Sequence, residues 1–343
     1  MTASDRARRF PVGFFLAAYY EVARGVAARR PHLSRPVCWR PVCLFFLGSA
    51  AAVGFAQPAG LCFAYLRQGD IVVACDDRET RVTQRGDIGQ FAVDGVRPAV
   101  GFVTERIVSR AAAEVADTAT IVDLVSGEST RVDLPSPLGL VGTCGGIYSI
   151  SDVKKQHSGR HDLLSGEVLT MAPYSWFRCS ADRRTIAGIK GTGKGSLYIG
   201  FPPSAAIAVA KDVDPYRFNV SPAGLSVAYS ADIGRACVVQ SPGPAACVNY
   251  LGSLTDLPSV SDDGGVLVAA STAGTCFYQS RSVFGRQRFP GATGDDDQDA
   301  CLAIGYWRPG LDEIRIVAPI GRNPQWISPA TAALLRKWAV DKN

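Results

Sequence analysis

Short apolar or alternating runs bounded by Gly, Pro, Ser and Asp recur along most of the chain, and no long window before the C-terminus sustains helical spacing. This pattern predicts strands joined by tight turns. In one run Leu225, Val227 and Tyr229 alternate with Ser226 and Ala228, which predicts a strand with one buried face. The Ser221-Pro-Ala-Gly224 stretch before it supplies the bend. The pattern changes only near the end. Ser328-Pro-Ala-Thr-Ala-Ala-Leu-Leu-Arg-Lys-Trp338 offers an N-cap serine, proline at the first helical position and good helix formers, so a short C-terminal helix is expected. Its Leu334, Leu335 and Trp338 are expected to pack on the preceding body.

The runs repeat. Phe218-Asn-Val-Ser-Pro-Ala-Gly-Leu-Ser-Val-Ala-Tyr229 aligns with Pro258-Ser-Val-Ser-Asp-Asp-Gly-Gly-Val-Leu-Val-Ala269, placing Ser221 and Ser261 40 residues apart. Phe177-Arg-Cys-Ser-Ala-Asp-Arg-Arg-Thr-Ile-Ala187 puts Ser180 another 41 residues upstream. Looser copies stand at Phe91–Phe102, Tyr306–Val317 and Thr143–Tyr148. A second feature keeps nearly the same spacing: Asp123-Leu-Val-Ser-Gly-Glu128 and Asp162-Leu-Leu-Ser-Gly-Glu167 lie 39 residues apart. A single small sheet cannot hide both faces, but units of about 40 to 45 residues can cover one another around an axis. A pair of facing sheets would not require a phased repeat. The expected fold is therefore all-β: a six-bladed β-propeller over residues 57–326, followed by a helix and tail over 327–343. The strand at 62–67 is expected to join the last blade and close the ring.

The order Tyr65-Leu-Arg-Gln-Gly-Asp-Ile-Val-Val-Ala74, a polar turn, Thr83 and then Phe91-Ala-Val-Asp-Gly95 resembles the repeat of TolB-like propellers, whose blades carry a Trp-Ser-Pro-Asp-Gly type of turn. The resemblance covers about residues 62 to 318. The chain departs from the pattern at most positions, keeping Ser-Pro only at Ser221-Pro222 and Trp only at Trp307. The resemblance implies six blades serving as a protein-interaction platform, sometimes with a ligand or metal in the central channel.

Charge refines this picture through its location. The formal net charge is +5, yet residues 1 to 56 hold eight Arg against Asp5 and Glu21, so the remainder is near neutral. No basic face is visible to drive phosphate-backbone binding, and no nucleic-acid partner is expected. Within that front segment, Cys43–Ala56 is an apolar run behind Arg35 and Arg40, ending in small residues. This is the layout of a signal peptide, and the run is too short for a membrane span of about 20 residues. A leader over 1–56 with its hydrophobic core at 43–56, cleaved near Ala56, predicts an exported, periplasmic or extracellular protein.

Eight cysteines follow the leader, an even number that suits disulfides in an exported chain. Folding 62–75 into a hairpin about Gln68-Gly69 sets Tyr65 opposite Val72 and Cys62 opposite Cys75. Cys237 and Cys247 likewise flank the turn signal Ser241-Pro-Gly-Pro244. These four are the disulfide candidates.

Other chemistries lack parts. Gly188–Ser196 resembles a phosphate loop, but Gly195 stands where Ser or Thr should follow Lys194, and no helix pattern comes after it. His157 and His161 are read as loop residues without a third zinc ligand. Asp295, Asp297 and Asp299 alternate, yet Ala300 and Tyr306 fall where a calcium loop requires Gly and Glu. No Gly-x-Ser-x-Gly elbow is present. The sequence thus predicts no catalytic, cofactor-binding or metal residues and no cofactor. Its reading is an exported, monomeric, non-catalytic binding propeller whose partner is an unidentified protein or small ligand, the alternative being a lyase or hydrolase with a polar site at the channel.

Overall fold

A computed structural model describes residues 60–76, 78–94, 96–109, 112–134, 140–150, 160–191, 193–215, 217–232, 234–241, 243–250, 254–271 and 302–341. The leader, His157, the Asp295–Asp299 run, Cys276 and Cys301 lie outside them. Among the described residues the strands form six four-stranded antiparallel sheets.

The first sheet joins β1 (Cys62–Arg67), β2 (Asp70–Cys75) and β3 (Arg78–Arg81) to the last strand of the chain, β24 (Arg322–Trp326). Each of the others is a simple meander. The second contains β4 (Ile88–Val93), β5 (Ala99–Ser109), β6 (Ala112–Asp123) and β7 (Ser129–Asp133). The third contains β8 (Leu140–Thr143), β9 (Gly146–Ile150), β10 (Arg160–Asp162) and β11 (Val168–Leu169). The fourth contains β12 (Trp176–Cys179), β13 (Ile186–Ile189), β14 (Gly195–Gly200) and β15 (Ile207–Val213). The fifth contains β16 (Phe218–Val220), β17 (Ser226–Asp232), β18 (Arg235–Gln240) and β19 (Ala245–Asn249). The sixth contains β20 (Leu254–Val260), β21 (Val266–Ser271), β22 (Leu302–Trp307) and β23 (Arg315–Ala318).

The core is divided among the gaps between sheets rather than gathered in one place. On β1, Cys62, Ala64 and Leu66 pack with Phe91, Val100 and Val122 of the second sheet, whereas Phe63 and Tyr65 pack with Leu267, Ile304 and Tyr306 of the sixth. The same division continues between the second and third sheets through Ile121, Leu140 and Ile147. Further clusters join the third, fourth and fifth sheets and then the fifth and sixth. Every sheet is thus covered on both faces by its neighbours in a closed circuit, which is the packing of a β-propeller. This corrects the expectation of one buried face per strand. Ser226 and Ala228 are as buried as Val227, and Leu225 is 55% exposed. Alternation along β17 selects which neighbour a side chain meets, not whether it meets water.

Closure differs from the expected form. The strand at 62–67 remains in the first sheet and pairs with β24, Phe63 opposite Trp326 and Ala64 opposite Gln325. The C-terminal strand therefore crosses to the first sheet and occupies its inner edge. Gln325 extends the join to the second sheet, accepting the Val93 N–H at 2.9 Å and donating to the Phe91 carbonyl at 2.7 Å. The helix α1 (Pro329–Asp341) follows at once. Ser328 caps it by accepting the Thr331 N–H at 3.0 Å, while Ala332, Leu335 and Ala339 are buried against the first sheet. Leu334 and Trp338 are partly buried on the same cluster. Arg336 donates to the carbonyls of Cys75 and Arg78, pinning the helix over the β2–β3 turn.

Candidate functional site: the face built by inner-strand turns

In each meander the connections from first to second strand and from third to fourth emerge on one side of the ring. The remaining connections emerge on the other. The repeated sequence features are these first-side turns. Ser180, Ser221 and Ser261 end the inner strands of three consecutive sheets and make the same bonds. Their N–H groups donate to the carbonyls of Thr185, Ser226 and Gly265 at 3.0, 2.9 and 2.9 Å. Their carbonyls accept from Arg183, Gly224 and Gly264, all three with positive φ. Gly224 suits its φ of +78°, and a Cβ there would press on Thr185 of the preceding turn. Asp123 and Asp162 open equivalent third-to-fourth-strand turns. Asp123 accepts the N–H groups of Val125 and Ser126, and Asp162 accepts that of Leu164 and the Ser165 hydroxyl. The Tyr306–Val317 copy occupies this second kind of turn in the sixth sheet, rather than the first kind with which its sequence was aligned.

Side-chain and backbone bonds tie these turns into a continuous rim. Arg97 bridges Asp94, at 2.5 Å, to Asp162 of the third sheet, at 3.2 Å. Burial works against its charge, but the two carboxylates prevail and hold the guanidinium above its usual pKa. Arg183 of the fourth sheet binds Glu167 of the third at 2.6 Å, which lowers the Glu167 pKa. Ala181 donates to the Pro222 carbonyl, and Ala223 donates to the Asp262 carboxylate. Trp326 donates to Ser259. The rim thus runs from the second sheet round to the first.

Three disulfides are present among the described residues. The structure brings Cys62 to Cys75 and Cys237 to Cys247 as cross-strand partners, with Tyr65 opposite Val72. Cys144–Cys179 escaped the sequence reading because it joins two sheets, across the rim between the third and fourth. Its available signal was positional: Cys144 and Cys179 stand in or beside successive copies of the same inner-strand turn. Cys62, Cys75 and Asp76 form a grouping of potential metal donors, but two of the three sulfur and oxygen donors are spent in a disulfide.

The inner strands enclose a cavity of about 80 Å³ lined by Thr143, Asn219, Ser259, Asn323, Gln325 and the Cys144–Cys179 bridge, with Val93, Leu140 and Val260 among its apolar walls. That space suits a few waters and is well below the ~300 Å³ of an ordinary ligand pocket. Gly188–Ser196 spans the end of β13 and the start of β14, which pair antiparallel. His161 lies on β10 opposite Ser149 and Val168, correcting the loop expected for it.

Among its exposed polar residues the rim also presents aliphatic side chains to solvent. Val96, Val125, Leu164 and Leu225 are 61, 66, 41 and 55% exposed, each at the tip of a first-side turn. Val168 and Ile207 begin outer strands on that same side.

No family model matches the chain, and no curated protein is similar to it at a significant level. Among solved structures it is similar to Kluyveromyces lactis Hsv2, with 13% identity over 62% of this chain and 68% of that one and a TM-score of 0.40. It is also similar to the β-propeller domain of Myceliophteria thermophila Cps50 (Swd1), with 12% identity over 75% of this chain and 86% of that one and a TM-score of 0.40. The class of protein the sheets define is a β-propeller.

Proposed function

We propose that the chain is an exported, monomeric, non-catalytic propeller that binds a partner protein on the rim of inner-strand turns. On this reading the six sheets are the six blades of one ring, divergent from the TolB-like propellers its repeat resembles. The observation that carries the proposal is that the exposed large aliphatic residues among those described, Val96, Val125, Leu164, Val168, Ile207 and Leu225, all fall on this one side of the sheets. Three disulfides support an oxidising compartment, and among the described residues no helix is long and apolar enough to cross a membrane. Removal of residues 1–56 belongs to the same proposal.

The test is capture from the native envelope followed by mass spectrometry. Val125→Asp combined with Leu164→Asp should abolish recovery of the partner while leaving the melting temperature within a few degrees of wild type. Lys194→Glu, on the opposite side, should leave recovery intact. Recovery indifferent to the first variant, or lost in the second, would refute a partner site on this rim.

A further inference from the structure

The aliphatic rim has a charge that selects its partner. The turns on this side carry exposed Glu128, Asp182, Asp263, Asp312 and Glu313. Of their guanidinium groups, Arg97 and Arg183 are already engaged by carboxylates of the rim itself, leaving Arg184 and Arg308. The described connections on the other side reverse the balance, with Arg85, Lys190, Lys194 and Arg217 against Asp87 and Asp214. Among the described residues the two sides thus differ in sign. The aliphatic tips also stand on turns that are bonded to one another. Val96 adjoins the Arg97–Asp162 bridge, Leu164 follows Asp162, Glu167 reaches Arg183, and Thr185 donates to the carbonyl of Gly224 beside Leu225.

We infer that this rim docks a lysine- or arginine-rich segment of another protein that carries aliphatic residues among its charges. The inference rests on the binding reading above and specifies the chemistry of its partner. Aliphatic groups of the segment cover Val96, Leu164 and Leu225, and its cations approach the surrounding carboxylates. Complementary charge of this kind speeds encounter and rejects acidic competitors.

The probe is a short fluorescein-labelled peptide of alternating lysine and valine, compared with its glutamate–valine counterpart by fluorescence polarisation. The cationic peptide should bind at least about tenfold more tightly, with affinity falling as salt is raised. Glu128→Lys with Glu313→Lys, and separately Leu164→Ser with Leu225→Ser, should each weaken binding by about tenfold with unchanged melting curves, while Lys194→Glu has no effect. Equal binding of both peptides, or loss in Lys194→Glu, would overturn the inference. So would concentration-dependent self-association, seen by light scattering and abolished by the same rim variants, which would assign the rim to a second copy of the chain. The two readings fail separately. If native-envelope capture is lost in the serine variant but survives the charge reversals, the rim is a binding face and the cationic partner is wrong. If capture ignores both variants, both readings fall.

Discussion

The exposed carboxylates of the rim are held by hydrogen bonds rather than by burial. Asp123 is kept below its usual pKa by the N–H groups of Ser126 and Val125, Glu167 by Arg183, and Asp182 by the Ser180 hydroxyl and the Arg184 N–H. Each therefore binds its proton more weakly in the folded chain than in the unfolded one. The stability this provides is complete above the ordinary carboxylate pKa of about 4 and disappears as pH falls through the lower folded value. Thermal melts are accordingly expected to weaken progressively as the pH falls below about 5. Asp123→Asn keeps an acceptor but loses the charge, so it should melt below wild type at pH 7, and the gap should narrow progressively as the pH falls below about 4. A gap that stays constant with pH would show that the carboxylate charge at this turn contributes nothing. Such residues were legible as turn formers, because Asp-x-x-Ser-Gly-Glu names the bend. Their ion-pair partners were not, since Arg97 and Asp162 are 65 positions apart and meet only when two sheets are placed side by side.

Among elements, how much could be read depends on how local the pairing is. The Cys62–Cys75 and Cys237–Cys247 bridges follow from a turn and a register, which a single stretch of sequence contains. The Cys144–Cys179 bridge requires knowing that two turns from different sheets adjoin. That difference has an energetic counterpart. Closing a longer loop removes more freedom from the unfolded chain, and the sequence separations are 13, 10 and 35 residues. Replacing both members of a pair by serine should cost about 3 kcal/mol for either cross-strand bridge and about 4 kcal/mol for Cys144–Cys179, read from urea unfolding of each double variant. The ranking carries the test, because the seam between the third and fourth sheets is also held by the Cys144 N–H on the Cys179 carbonyl at 2.9 Å and by Thr143 on the Cys179 backbone. If the inter-sheet pair proves the cheapest to remove, those hydrogen bonds already fix the seam and the bridge adds little.

For the whole molecule, the inner-strand repeat marks the second to sixth sheets, the Tyr306–Val317 copy being a different turn of the sixth, and the first sheet escapes it because its inner strand comes from the far end of the chain. Nothing in Arg322-Asn-Pro-Gln-Trp326 alternates cleanly enough to declare it an inner strand, and its proline is tolerated because β24 pairs through the ladder on one side only. The strand nevertheless joins three sheets: β1 by backbone pairing, the second sheet through Gln325 and Asn323 on Phe91, and the sixth through the Trp326 N–H on Ser259. Removing α1 alone should lower the melting temperature, because it uncovers the cluster around Ile327 and discards buried Leu335, worth about 2 kcal/mol for that side chain. Removing β24 as well should have a different kind of effect. It leaves the inner edge of β1 unpaired and the gaps to the second and sixth sheets open, so the ring loses its last shared contact and exposes a strand edge that invites association. A chain ending at residue 327 is therefore expected to melt cooperatively, and one ending at residue 320 to lose the cooperative transition and scatter light, as followed by circular dichroism and light scattering in parallel. Equal cooperativity in the two truncations would mean that adjoining sheets hold the circle without its closing strand.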